Sequence, residues 1–224
     1  MAAIPLEKQP IEYPTSDGKP MAETTLHRMV MSDLIEGLSA YHAAAPDVWV
    51  GGNLFLCYQE GNPRAALAPD VLFARGVRKF PRDNYLLWEE TPPALIVEVT
   101  SRSTKREDLG KKKEIYQRIG VGEYVLFDPY SEYLKPRLQG FRLNRTGYVP
   151  SALEANGDLF SKAAGLLLRQ EGERLRLVDP KTGRAIPWVQ EEAADRMAAE
   201  ARNRMLEDEV ARLRAELERA RNQG

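Results

Sequence analysis

Two charges written into apolar patterns constrain this chain more than any other feature. Both lie in residues 92–129, PPALIVEVTSRSTKREDLGKKKEIYQRIGVGEYVLFDP. The stretch reads as an apolar strand, a Ser/Thr/basic loop, a helix and a second apolar strand. In the first strand, alternation puts Leu95, Val97 and Val99 on one face and Ile96, Glu98 and Thr100 on the other. An ionised Glu98 among such neighbours is costly unless it is paired or binds a metal. The bland alternative is a strand whose second face is solvated at this point.

The helix runs from Lys105 or Arg106 to Ile119, with Gly120 as its C-cap. Leu109, Ile115, Tyr116 and Ile119 define its apolar stripe. Projected at about 100° per residue, the middle one of three consecutive lysines, Lys112, falls on the centre of that stripe. Lys111 and Lys113 fall to either side, and Asp108 lies one turn earlier near the same stripe. The alternative for Lys112 is a lysine that covers the core with its methylenes and reaches water beside Asp108.

Around this stretch the chain has a consistent order. Residues 1–20 are rich in proline and polar residues and read as an irregular arm. Thr24 to Ala45 is expected to be helical, with Leu26, Met29, Val30, Leu34, Leu38 and Tyr41 at helical spacing and Thr24 or Thr25 as N-cap. The same stripe takes in Glu23 and His27, which are either ordinary helix-start residues or contributors to a site. Val48 to Tyr58 is β-rich, with Gly51-Gly52 marking a bend, and a short strand, Pro69 to Ala74, opens with Pro69-Asp70. A polar connection, Arg75 to Thr91, leads into the strand that holds Glu98. After Phe127, Leu138–Val149 and Leu166–Val178 read as two hairpins. The expectation is an α+β (mixed α/β) domain over residues 21–187, an antiparallel meander flanked by helices, with core order α-β-β-β-α-β and peripheral β-hairpins.

From residue 188 the composition turns to Ala, Glu, Arg and Leu. Leu206, Val210, Leu213, Leu217 and Ala220 alternate by four and three residues, and the same register brings Asn203 and Ala199 to the seam. Residues 188–224 therefore read as a coiled-coil helix that makes a homodimer, a seam asparagine favouring two strands. The alternative is an amphipathic helix packed back on the domain.

A formal net charge of −1 excludes bulk attraction for nucleic acid, so such a partner needs a local patch or a metal. One such tract exists: residues 102–118 hold seven basic residues against Glu107, Asp108 and Glu114. One cysteine, Cys57, excludes an intrachain disulfide and a Cys-rich metal site. With no secretory pattern and no membrane-length apolar run, the expected location is cytoplasmic.

Asp70 opens the strand that precedes the one holding Glu98, and antiparallel neighbours set two such carboxylates side by side. Two carboxylates and main-chain oxygen suit Mg²⁺, with Mn²⁺ as substitute. A nearby lysine can then act on an attacking water and on a scissile phosphate. On ALAPDVLFA, on residues 92–129 and on the element order, the chain resembles the widespread bacterial restriction-endonuclease family within the PD-(D/E)-x-K nuclease superfamily. Pro69-Asp70 falls on that family's PD and Glu98 on its (D/E). Thr100 stands where the superfamily lysine would be, and a D-x-x-x-K-x-x-x-Y pattern, met by Asp108, Lys112 and Tyr116, moves the lysine to the following helix. The resemblance implies Asp70, Glu98 and the main-chain carbonyl of Val99 as metal ligands, with Lys112 catalytic. It leaves Asp108, Tyr116, Thr100, Ser101, Ser103, Glu23 and His27 as second-rank or substrate-side candidates. The function expected is a Mg²⁺-dependent DNA endonuclease; the alternative is a non-catalytic nucleic-acid-binding or adaptor module on a nuclease fold.

Overall fold

The computed structural model describes Tyr13, Thr15 and residues 24–222. The expected N-terminal arm, Tyr13 and Thr15 apart, and Glu23 lie outside the described residues. In chain order the elements are α1 (Thr25–Tyr41), β1 (Val48–Gly51), β2 (Phe55–Cys57), β3 (Ala66–Leu67), β4 (Val71–Arg75), β5 (Asn84–Leu86) and β6 (Leu95–Val99). Then come α2 (Lys105–Glu107), a π turn (Asp108–Lys112), α3 (Lys113–Arg118), β7 (Glu123–Phe127), β8 (Leu138–Asn144) and β9 (Gly147–Pro150). The chain ends with β10 (Leu159–Ser161), β11 (Leu166–Glu171), β12 (Arg174–Val178) and α4 (Val189–Arg221).

A six-stranded sheet, β1-β4-β6-β7-β8-β9, is the frame of the architecture, with two three-stranded sheets, β10-β11-β12 and β3-β2-β5, beside it. The molecule is thus a mixed α+β protein. The antiparallel meander expectation fails in the main sheet where β7 runs parallel to β6, because α2, the π turn and α3 carry the chain back over the sheet between them. A strand buried on both faces suits a parallel neighbour, and all five residues of β6 are buried. The solvated second face considered for Glu98 does not exist.

Each face of the sheet has its own apolar core. Leu95, Val97 and Val99 join Val71, Phe73 and the α1 residues Val30, Leu34 and Leu38. Ile96 joins Leu72, Tyr116, Tyr124 and Leu126 on the other side. Thr24 caps α1 by accepting from the His27 N–H at 3.2 Å, and the helix stops at Tyr41, which is exposed and not part of the stripe. The β-rich run 48–58 breaks into β1 and β2, which belong to different sheets. Asn53 bends there at φ 52°, and its N–H donates to the Pro69 carbonyl at 2.9 Å. β5, inside what reads as a polar connection, pairs parallel with β2.

Leu109 is 43 % exposed, contrary to its place on the projected stripe. The reason is the π turn. A wider turn inserts an extra residue into the helical count, so residues before it fall out of phase with those after it. Gly110, inside the turn, weakens the competing α-helical hydrogen-bonding pattern there.

Residues Pro187–Gly224 form a separate compact unit, consisting almost wholly of the 33-residue α4, in which no residue is buried. Among the described residues no helix is long and apolar enough to cross a membrane.

Candidate active site

Register brings the first two acidic residues together. Val71 of β4 faces Val97 of β6 in an antiparallel pair, so one step outward sets Asp70 opposite Glu98. Asp70 is fixed from two sides: its Oδ2 accepts from the Val99 N–H at 2.7 Å, and its Oδ1 lies 3.1 Å from His27 Nε2 at the start of α1. Its main chain is held as closely. A Cβ on Gly52 would stand 1.9 Å from the Asp70 carbonyl oxygen, so only glycine lets the β1–β2 bend cross this point.

Glu98 is 1 % exposed, and both of its oxygens have donors. Lys112 Nζ donates to Oε2 at 2.8 Å, and the buried Tyr116 hydroxyl donates to Oε1 at 2.7 Å. Lys112 also lies 3.0 Å from Asp108 Oδ1 on its own helix. Asp108 is buried, and the Tyr124 hydroxyl donates to its main-chain carbonyl at 2.9 Å, satisfying a group at the start of the π turn. The snorkelling alternative for Lys112 does not hold: its side chain is 12 % exposed and ends between two buried carboxylates.

The electrostatics follow from burial and from these neighbours. Removal from water raises the Glu98 carboxyl, Lys112 draws it back, and the charges of Asp70 and Asp108 raise it further, to about 8. Burial raises Asp108 too, against the lowering influence of Lys112. Burial by itself would lower the ammonium, but the charges of Glu98, Asp108 and Asp70 outweigh it, and Lys112 is held well above its ordinary value. The Tyr116 hydroxyl, buried beside Glu98, is raised likewise.

The donor set suits a hard divalent cation. When ionised, Glu98 and Asp108 face the Lys112 ammonium while Asp70 faces the His27 imidazole, so with His27 neutral two negative charges are uncompensated. The carboxylates offer oxygen ligands, and each carboxylate oxygen that already accepts one hydrogen bond keeps a lone pair. Among the described residues no group of three or more His, Cys, Asp or Glu side chains is close enough to hold a metal unaided. An ion here would therefore take main-chain oxygen, water or substrate as well, which is the habit of Mg²⁺. Thr100, just past the end of β6, is buried, and its hydroxyl finds no protein partner.

Of the residues singled out in the sequence, Asp70, Glu98, Lys112, Asp108, Tyr116 and His27 converge. Val99 reaches the cluster through its N–H. Ser101, Ser103 and Thr104 bond chiefly to one another at 3.0–3.1 Å and shape the entry to α2. Gly52 and Tyr124 also belong to the site, and the sequence does not mark them as such. The double glycine marked the first only as a bend, and nothing local marks the second, whose partner is a backbone carbonyl created by the π turn.

Among proteins of curated function, none matches the chain. Five chains of solved structures do, one of them described as "a putative nuclease belonging to DUF820" from Anabaena variabilis. It is 11 % identical, with a TM-score of 0.48, over 63 % of this chain and 75 % of that one. A family model, Uma2, described as "Putative restriction endonuclease", matches residues 2–172, a span that contains every residue of the cluster. The chain belongs to the Uma2 family.

Proposed function

We propose that the protein is a metal-dependent DNA endonuclease that hydrolyses phosphodiester bonds, with Asp70, Glu98 and Lys112 as its catalytic residues in a domain spanning residues 21–187. The observation that carries this reading is Glu98: a fully buried carboxylate, braced by Lys112 and Tyr116, directly across the strand pair from Asp70. A strand held only for stability gains nothing from such a group, since well-packed apolar residues in its place are as good or better.

Asp70, Glu98 and the Val99 main-chain carbonyl would hold Mg²⁺, or Mn²⁺ in its place. Such an ion supplies Lewis-acid polarisation of the phosphoryl group and a more acidic bound water. The protein's own groups do the rest. Lys112, held between Glu98 and Asp108, acts on the attacking water and offsets charge developing on the phosphate. Tyr116 fixes one oxygen of Glu98, and Asp108 anchors the lysine from its own helix. The Val99 N–H and His27 orient Asp70. The exposed Arg102, Arg106 and Lys111 position phosphates nearby, with Thr100, Ser101 and Ser103 on the substrate side. A second copy, joined through the C-terminal helix, completes the working assembly.

The test is nicking of supercoiled plasmid. Purified protein cuts with Mg²⁺ or Mn²⁺ and stops on chelation, while Glu98→Gln and Lys112→Ala fail to cut at the same protein concentration. Undiminished cutting by either variant rejects the assignment.

A further inference from the structure

α4 is 33 residues long, about 50 Å at 1.5 Å per residue, and none of its residues is buried. Leu206, Val210, Leu213 and Leu217 are all exposed. A helix whose apolar seam is exposed gains stability from a partner on that seam. Written in heptads, Asn203, Val210 and Leu217 occupy a, and Leu206, Leu213 and Ala220 occupy d. The flanking e positions are Glu207, Arg214 and Arg221, and the g positions are Arg202, Glu209 and Glu216.

We propose that α4 pairs with α4 of a second copy of this chain as a parallel, in-register, two-stranded coiled coil from about Ala199 to Arg221. The charges carry the orientation. In a parallel pair each g residue faces the e residue five positions on in the other strand. Arg202 then meets Glu207 of the second copy, Glu209 meets Arg214, and Glu216 meets Arg221: every contact is between opposite charges. A slip of one heptad sets Arg202 against Arg214 in one direction and Glu209 against Glu207 in the other. The antiparallel pairing that keeps the seam, with Val210 against Leu213, sets Glu209 against Glu216 twice and so cancels the two Glu207–Arg214 contacts it makes.

The seam agrees. Asn203 meets its counterpart only in the parallel in-register pair, where two buried amides bond each other, whereas the antiparallel pair leaves it against Ala220. Val210 at a between Leu206 and Leu213 at d favours two strands over three. Upstream, Glu192 and Arg196 fall on the seam and Asp195 faces Glu200 of the second copy, which sets where the pairing begins. Glu216 lies 3.6 Å from Arg212 on its own helix, an exposed contact that leaves its carboxylate free to accept from a second cation. None of this rests on the nuclease reading.

The full-length chain tests it, in a Cys57→Ser background. Light scattering gives a mass twice that of one chain, and Leu213→Asp returns it to one. Ala199→Cys and Ala220→Cys, at opposite ends of the coil, each cross-link to themselves on mild oxidation, since identical d positions adjoin only in the parallel in-register pair. Glu209→Arg with Glu216→Arg weakens the dimer roughly tenfold to a hundredfold, and adding Arg214→Glu with Arg221→Glu restores it. A monomeric mass, or a dimer that survives Leu213→Asp, overturns the interface. A dimer that cross-links at neither end, or no rescue by the second charge reversal, overturns the orientation.

Discussion

Lys112→Met keeps a straight stem at the site and removes only its charge. The ammonium lies 2.8 Å from Glu98 and 3.0 Å from Asp108, and both carboxylates are 1 % exposed. Neither can turn to water, so each must remain an unpaired charge or take up a proton. Breaking a buried pair in this way costs roughly 3–5 kcal/mol. For a domain of this size each kcal/mol lowers the midpoint by about 2–4 °C, so a fall of roughly 6–20 °C is expected. The pH decides where in that range the variant falls. Glu98 is pushed up to about 8 with the lysine present, and it binds its proton more tightly without it. Protonation therefore relieves the loss in acid, and the deficit grows as the pH rises past neutrality. Adding Glu98→Gln removes one of the stranded charges, so the double variant recovers about 1 kcal/mol or more relative to the sum of the two single ones. Urea unfolding and calorimetry in EDTA at pH 6, 7.5 and 9 measure all of this. A loss below about 1 kcal/mol at pH 9 would mean that the ammonium faces water and that Glu98 and Asp108 do not depend on it.

Tyr116→Phe strips one donor from a buried carboxylate and should cost about 1–3 kcal/mol of stability, with plasmid nicking slowed at saturating DNA and little change in the DNA concentration required. Gly52→Ala places a methyl group 1.9 Å from the Asp70 carbonyl oxygen, and the displaced strand start should abolish nicking while costing about 1–3 kcal/mol in denaturant unfolding. In metal-free protein Glu98 holds its proton from an ordinary 4.5 up to about 8, so the stability tied to that proton is complete below about pH 4.5 and is lost as the pH rises through about 8. Unfolding free energies from pH 5 to 9 should decline accordingly, and Glu98→Gln should flatten the decline.

Much of the fold can be read from period and punctuation, and the departures have physical causes. β6 and β7 declare themselves because a strand buried on both faces is a nearly unbroken apolar run. That they are parallel is not written in either run; it follows from the helix between them, which is long enough for a crossover. β5 escaped because three residues, one buried, make no alternation to detect, and its partner β2 is equally short. Glu98 and Lys112 stood out because each breaks a period. Asp70 did not, since an Asp after Pro is ordinary turn chemistry, and only the strand register gives it a neighbour.

The helical projection sets Lys112 and Leu109 on one stripe, yet only Lys112 turns inward, and the difference lies in the π turn. Lys112 closes that turn and is in phase with Tyr116 one α-helical turn on, whereas Leu109 lies at its beginning and is carried outward by the extra residue. The same turn sets Asp108 within 3.0 Å of Lys112, and the Tyr124 hydroxyl on β7 holds its first carbonyl. The second strand of the motif is therefore tied to the site by a hydrogen bond as well as by pairing with β6. A lysine at position 100 would emerge from the strand one step beyond Glu98, about 7 Å along the same face. From the helix, Lys112 instead meets Glu98 from above the sheet with Asp108 beside it, an arrangement that needs strand, turn and helix together and that no single segment could supply.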